Sequence, residues 1–379
     1  MEALRLGFFT EIYRPVVNGV VASVDALADG LRTKGHQVFC FTPRMPGYTE
    51  AEGAVVRMPS LPLPTRTSYR LTLPLVSRRN LNAVIKRLSL VHAHSPFVTG
   101  WMGLRYARRY GMPLVYTYHT QLEAYAHYVP FEQNATRFAA SALTRTFANQ
   151  ADAVVVPTAA MAVRLREIGV TARIEIVPSG IDVAHFSSGK RAHTLRFRLG
   201  VGRDDRMLLY VGRLAKEKNV ELLLRALALA GDDSLKLVVA GDGPSRHELE
   251  QCARECGIGD SVRFLGSVPR IDLPNLYASA DAFVMPSMTE TQGLVLAEAM
   301  AAGARLVAAD TPQNRDVIGG AGTIVVPTAE AFAHCLRAVN LQPAPWRPAQ
   351  HAARRFSSEV QVDRMQSLYG SLVRAACIA

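Results

Sequence analysis

The stretch TETQGLVLAEAM, residues 289 to 300, sets two acids, Glu290 and Glu298, on either side of Gly293. After that glycine, Leu294, Leu296, Ala297 and Met300 recur with the spacing of a buried helix, and the Ala and Glu between them favour that state. A helix that starts near Gln292 and Gly293 leaves its first amides without intrahelical partners and with a partial positive charge, which makes an anion site. Glu290 then stands just outside the anion. Glu298 lies five residues past Gly293, roughly 7 to 8 Å along the axis at 1.5 Å per residue. Two carboxylates that accept from hydroxyls bracket one anion, a layout that fits a sugar and a ribose on either side of a diphosphate.

Other residues could serve the same chemistry. In YVGRLAKEKNV, Arg213, Lys216 and Lys218 directly follow a strand, where cations can stabilise charge that grows on a leaving phosphate. In EIYRPVVNGVVASV, Gly19 lets backbone amides approach a phosphate, and it equally suits an ordinary turn. The G-x-G-x-x-G pattern of a dinucleotide cofactor is missing there. His119, in VYTYHTQLEAYAHY, ends another strand, where a histidine can meet a sugar hydroxyl or the reacting centre. His92 and His94, in LVHAHSP, read as inter-strand packing and loop bonding.

These residues need a scaffold that presents strand ends, and the rest of the chain supplies one. Strand-like runs alternate with helical patterns from LRLGFFT to DAVVVPT, and the cycle restarts after RIEIVPSGID with MLLYVGRL, LKLVVAGDG, VRFLGSV, AFVMPS, RLVAAD and GTIVVP. Such alternation predicts an α/β chain of two doubly wound domains with parallel sheets, divided near Val177 to Ile181. Ligands of such sheets bind outside the carboxyl ends of the strands. With 49% hydrophobic and 20% charged residues in 379, the composition is globular, with room for two domains. The five cysteines form no ligand-like cluster and read as reduced thiols. No basic leader or membrane-length apolar run is evident, so a cytoplasmic location is expected.

The net charge of +11 is uneven. Residues 1 to 180 hold 20 Lys and Arg against 11 Asp and Glu, while residues 181 to 379 hold 23 against 21. A positive first half suits an anionic membrane, nucleic acid or an acidic substrate, and the charge balance does not choose among them.

The order NGV, HT, GRLAKEKN, GDGP, VRFLG and ETQGLVLAEAMAAG resembles the retaining glycosyltransferases of family four, over nearly the whole chain. The resemblance implies a GT-B fold: two facing Rossmann-like domains with a cleft between them. On that resemblance, residues 1–177 are expected to form an acceptor and membrane domain and residues 178–357 a donor domain, with the C-terminal helix at about 358–379 packed back on the first. It further implies that Glu290 contacts the transferred sugar and Glu298 the nucleotide ribose, within a donor segment that includes Gly293 and Leu294. Arg213 and Lys218 match the diphosphate-binding cations, Gly19 the first-loop glycine, His119 the histidine beside the donor sugar, and Arg263 the base-reading segment. No metal and no cofactor beyond the nucleotide-sugar donor is implied, and the anomeric configuration is retained. No opposed carboxylate pair of glycosidase type is identifiable.

The chain is also similar to bacterial synthases that glycosylate diacylglycerol and to lipid mannosyltransferases, which makes a membrane lipid the expected acceptor. UDP-glucose is the first expectation for the donor, ahead of UDP-galactose and GDP-mannose. The basic excursion with Arg66, Arg70, Arg78 and Arg79, and a short helix over Leu81 to Leu90 with Lys86 and Arg87 outward, are expected to meet the anionic inner face of the cell membrane. Nucleic acid is not an expected partner. A soluble glycan acceptor, a nucleotide-sugar epimerase of the same fold and a membrane-docked binding protein without turnover are the rival readings.

Overall fold

The computed structural model describes residues 2–48, 53–62, 70–73, 79–128, 132–339 and 348–378. The chain divides into two compact units, Met1–Gly180 with Ser358–Ala379, and Ile181–Ser357. The first unit carries β1 (Arg5–Phe9), β2 (Gln37–Pro43), β3 (Val55–Met58), β4 (Ser60–Pro62), β5 (Arg70–Thr72), β6 (Leu90–Ala93), β7 (Leu114–Thr117), β8 (Ala153–Val156) and β9 (Ile174–Ile176). Its main sheet has the order β3-β2-β1-β6-β7-β8-β9, every pairing parallel, while β4 and β5 form a small antiparallel hairpin.

The second unit carries β10 (Arg206–Val211), β11 (Leu235–Ala240), β12 (Val262–Gly266), β13 (Ala282–Met285), β14 (Leu306–Ala309) and β15 (Thr323–Val325). Its parallel order is β12-β11-β10-β13-β14-β15. Strands such as AVVV in β8 and AFVM in β13 are buried throughout because helices cover both faces of each sheet, so their sequences are apolar without alternation. In each unit the strand order reverses at one place, between β1 and β6 and between β10 and β13. The crevice at the carboxyl ends of those two pairs is where such a sheet receives a ligand.

The helix Ser358–Ile378 belongs to the first unit although it follows the second in sequence. Val362, Met365, Leu368 and Tyr369 join Val24, Leu27 and Leu31 of the helix Gly19–Thr33 in one buried cluster. Gly30 allows the approach, since a Cβ there would lie 2.4 Å from Val362 Cγ2.

The expected helix over 81 to 90 is corrected. The helix runs Arg79–Ile85 and stops, the Ser89 amide donates to the Arg5 carbonyl at 2.7 Å, and Leu90 opens β6. Ile85 and Leu88 are buried in the core of the sheet, so the apolar side of this segment is already covered, while Lys86 and Arg87 are exposed.

Candidate active site

In the second unit, β10 is followed by Gly212 and Arg213, and β11 by GDG, residues 241 to 243. The two loops are stitched together: Leu214 N–H donates to the Asp242 carbonyl at 2.9 Å and Ser245 N–H to the Leu214 carbonyl at 3.0 Å. A Cβ at Gly241 would stand 1.8 Å from the Gly212 carbonyl oxygen, so only glycine permits this approach of backbone to backbone. The loop then turns through the one-turn helix Lys216–Lys218, and Asn219 takes a left-handed conformation at φ 54°.

That turn delivers Lys218 to Glu290, which lies past the end of β13, on the other side of the strand-order reversal. Lys218 Nζ donates to Glu290 Oε1 at 2.6 Å, with side chains only 18% and 16% exposed. Burial pushes the Glu290 carboxyl up, but the Lys218 ammonium and its hydrogen bond outweigh burial and hold Glu290 below its ordinary range. Thr289 Oγ1 donates to the Glu217 carbonyl at 3.3 Å and ties the same two loops again. Arg213 is exposed beside them, its carbonyl accepting from Tyr210 OH at 3.1 Å.

Gly293 starts the helix Leu294–Ala301 with φ 72° and brings no side chain across the helix end; Leu294 is half-buried in the first turn. Glu298, on that helix, is 5% exposed. Its Oε2 accepts from Tyr277 OH at 3.1 Å, and its Oε1 pairs with Arg270 Nη2 at 2.9 Å. Burial raises its carboxyl above the ordinary range against the pull of Arg270, Tyr277 and His185. Each of the two acids thus has its own cation, Lys218 from the loop after β10 and Arg270 from the connection that follows β12. Arg263 does not join them: it is exposed on β12 and lines, with Arg198, Lys236 and Asp260, a groove of about 320 Å³ at the amino ends of β11 and β12.

In the first unit, Gly19 is the exposed first residue of the helix Gly19–Thr33, and Asn18 caps that helix by accepting from Val21 N–H at 2.9 Å. Glu11, just past β1, accepts from Thr99 N–H at 2.9 Å, Thr99 Oγ1 at 2.8 Å and Thr72 N–H at 3.0 Å, and so anchors the first loop to its neighbours. His119, two residues past β7, has Nε2 at 3.0 Å from His94 Nδ1, and the two rings stack 5.2 Å apart. Burial pushes His119 down to about 4 and holds His92 and His94 well below the ordinary imidazole value. Loop bonding is what the sequence led us to expect of His94, and its partner, which the sequence did not name, is His119. The usable signal was that HSP, like YHT, directly follows a strand. Glu11 carried the same signal, whereas Arg270 and Tyr277 carried none locally.

Arg70, on β5, is half-buried, and its guanidinium donates to Ser60 Oγ at 2.9 Å and to the Ser60 carbonyl at 3.0 Å. It holds the hairpin together and does not form an open basic face. Arg79 begins the helix Arg79–Ile85, and Arg66 and Arg78 lie outside the described residues. Among the described residues, no helix is long and apolar enough to cross a membrane.

Two parallel Rossmann-like sheets, each with polar residues gathered at its reversal point, define the GT-B class. Sucrose-phosphate synthase from Thermosynechococcus elongatus shares the fold, with a TM-score of 0.78 at 22% identity over 98% of this chain and 100% of that one. The family models "Glycosyltransferase Family 4" and "Glycosyl transferases group 1" match residues 17–185 and 192–355. The chain is 32% identical to an alpha-monoglucosyldiacylglycerol synthase of Streptococcus pneumoniae, over 83% of this chain and 73% of that protein. It is 31% identical to a GDP-mannose-dependent alpha-mannosyltransferase of Mycolicibacterium smegmatis, over 87% and 86%. The chain belongs to the family four glycosyltransferases.

Proposed function

We propose that this glycosyltransferase moves a hexose from a nucleotide diphosphate sugar to a membrane lipid, with UDP-glucose as donor and diacylglycerol as acceptor, and with retention at the anomeric carbon. The observation that carries the reading is the Lys218–Glu290 pair at the reversal point of the second sheet, a cation and an acceptor held side by side, which suits a diphosphate joined to a sugar. The diacylglycerol acceptor is supported by the pneumococcal relative's name. GDP-mannose is the second reading for the donor, supported by the mycobacterial relative.

In this reading Lys218 and Arg213 stabilise the negative charge that grows on the departing diphosphate. Glu290 accepts from hydroxyls of the transferred sugar, Glu298 from the ribose diol, and Gly19 lets backbone approach the phosphates. His119 offers a neutral imidazole to a substrate oxygen. The bond between the anomeric carbon and the phosphate oxygen breaks, the bond to the acceptor oxygen forms on the same face, and the acceptor's proton passes to the departing phosphate. The cations take the place of a metal ion, and no cofactor takes part. The enzyme works as a peripheral protein on the cytoplasmic face of the membrane, where its lipid acceptor is found.

The test is product analysis with UDP-glucose, UDP-galactose and GDP-mannose, each with and without diacylglycerol vesicles. A glycolipid formed only when donor and vesicle are both present supports the proposal. Isomerisation of the donor without acceptor, or transfer to soluble glycans alone, overturns it.

A further inference from the structure

We infer that His94 is a positioning residue for His119: its Nδ1–H donates to His119 Nε2, and this fixes His119 as the tautomer that carries its proton on Nδ1. The inference deepens the proposed function in one respect only, by taking His119 as the imidazole that meets substrate.

The distance of 3.0 Å between His94 Nδ1 and His119 Nε2 requires one ring to donate and the other to accept. Burial keeps both rings neutral, so each holds a single proton. The remaining nitrogen of His94 decides the direction. His94 is 4% exposed, and its Nε2 is buried with no hydrogen-bond partner among the described residues. If His119 donated, His94 would accept at Nδ1 and carry its own proton on Nε2, a buried N–H without an acceptor. If His94 donates, Nε2 is left as a bare lone pair, and buried acceptors without partners are tolerated better than orphaned donors. The second arrangement therefore prevails.

The ring that donates is also held against rotation. Phe8 lies against His94 with ring centroids 4.8 Å apart, and His92 with centroids 4.0 Å apart. His92 is itself fixed at both nitrogens, by Tyr369 OH at 2.7 Å on Nδ1 and by Thr117 Oγ1 at 2.7 Å on Nε2. Tyr369 is fully buried in the helix Ser358–Ile378, so the C-terminal helix braces the histidines from behind. The chemical consequence is a specific one. With its proton on Nδ1 and its Nε2 lone pair occupied, His119 acts toward an oxygen as a hydrogen-bond donor. It does not act as the base that removes the acceptor's proton, which is consistent with the departing phosphate taking that role.

The test is a long-range ¹⁵N–¹H spectrum of the full-length enzyme labelled at histidine, with His119 assigned from the His119→Asn variant. The expected result at neutral pH is a protonated, pyrrole-type Nδ1 and a pyridine-type Nε2 for His119. A protonated Nε2 would overturn the inference whatever the activity. His94→Phe, which removes the donor, is expected to lower kcat by about tenfold, the loss of one neutral hydrogen bond, with donor KM within about twofold. His94→Asn, whose amide can donate from the same place, should restore most of the rate. An unchanged His119 tautomer and kcat in a folded His94→Phe enzyme would also overturn it. The spectrum needs no substrate, so failure of glycosyl transfer counts against the proposed function and a wrong tautomer counts against this inference.

Discussion

Replacing Arg270 with Gln should shift the pH dependence of nucleotide binding without abolishing binding. Arg270 Nη2 sits 2.9 Å from Glu298 Oε1, the carboxylate is 7% exposed and the guanidinium 45%. At an effective dielectric near 20, such a pair attracts with about 4 kcal/mol at 4 Å, and solvent around the half-exposed guanidinium reduces the useful part to about 1 to 1.5 kcal/mol. Burial already holds Glu298 above its ordinary range, so loss of the cation raises it further. A protonated Glu298 has less capacity to accept from a ribose diol, so affinity falls as pH falls through the folded-state pKa, and in Arg270→Gln the fall begins at higher pH. Stability moves the opposite way. With a folded pKa above the unfolded one, protonation of Glu298 favours the folded chain, so its contribution improves as pH drops. Calorimetric titration of UDP and of GDP between pH 4.5 and 8 measures the midpoint for wild type, Arg270→Gln and the pH-insensitive reference Glu298→Gln. Coincident midpoints for wild type and Arg270→Gln would refute the reasoning, as would a Glu298→Gln enzyme that binds both nucleotides like wild type.

Lys218→Met leaves Glu290 without its ammonium, so the Glu290 carboxyl should rise, and kcat should fall by about 10² or more while nucleotide affinity changes less, as steady-state rates against donor concentration will show. Asp281, whose side chain is 1% exposed, accepts from Arg191, Arg196 and the Met207 amide, so Asp281→Ala should cost about 3 to 5 kcal/mol in urea unfolding. Activity on diacylglycerol vesicles should rise with the anionic lipid fraction and fall with salt, which screens exposed charges over about 10 Å at 0.1 M, while donor binding follows neither. Equal rates on neutral and anionic vesicles would leave the first unit's charge as an ordinary solvated surface.

The periodic features were readable in the sequence because they are local. Apolar strand runs such as AFVM and AVVV signal strands buried on both faces, and their alternation with helices gives two parallel sheets with ligand loops at the carboxyl ends. The position of Glu290 after β13, and of Arg213 and Lys218 after β10, follows from the same pattern. Contacts across sequence were not readable. Arg270 reaches Glu298 from a one-turn helix 28 residues earlier, and nothing near either residue announces the pairing. His94 and His119 lie 25 residues apart and meet only because β6 and β7 are neighbours. The segment from 81 to 90 misled because its leucines fit a helical face, whereas Leu88 and Leu90 are drawn into the core of the adjacent sheet. Arg70 looked like part of a basic surface until its hairpin partner Ser60 was placed beside it.

The most direct measurement is the anomeric configuration of the first product. With anomerically ¹³C-labelled UDP-glucose, diacylglycerol vesicles and chelator present, ¹H–¹³C spectra taken during turnover should show an α-linked glucosyl lipid appearing as the α-linked donor disappears. A β-linked product, or strict dependence on added magnesium or manganese, would contradict a metal-independent retaining transfer built on Lys218, Arg213 and Glu290.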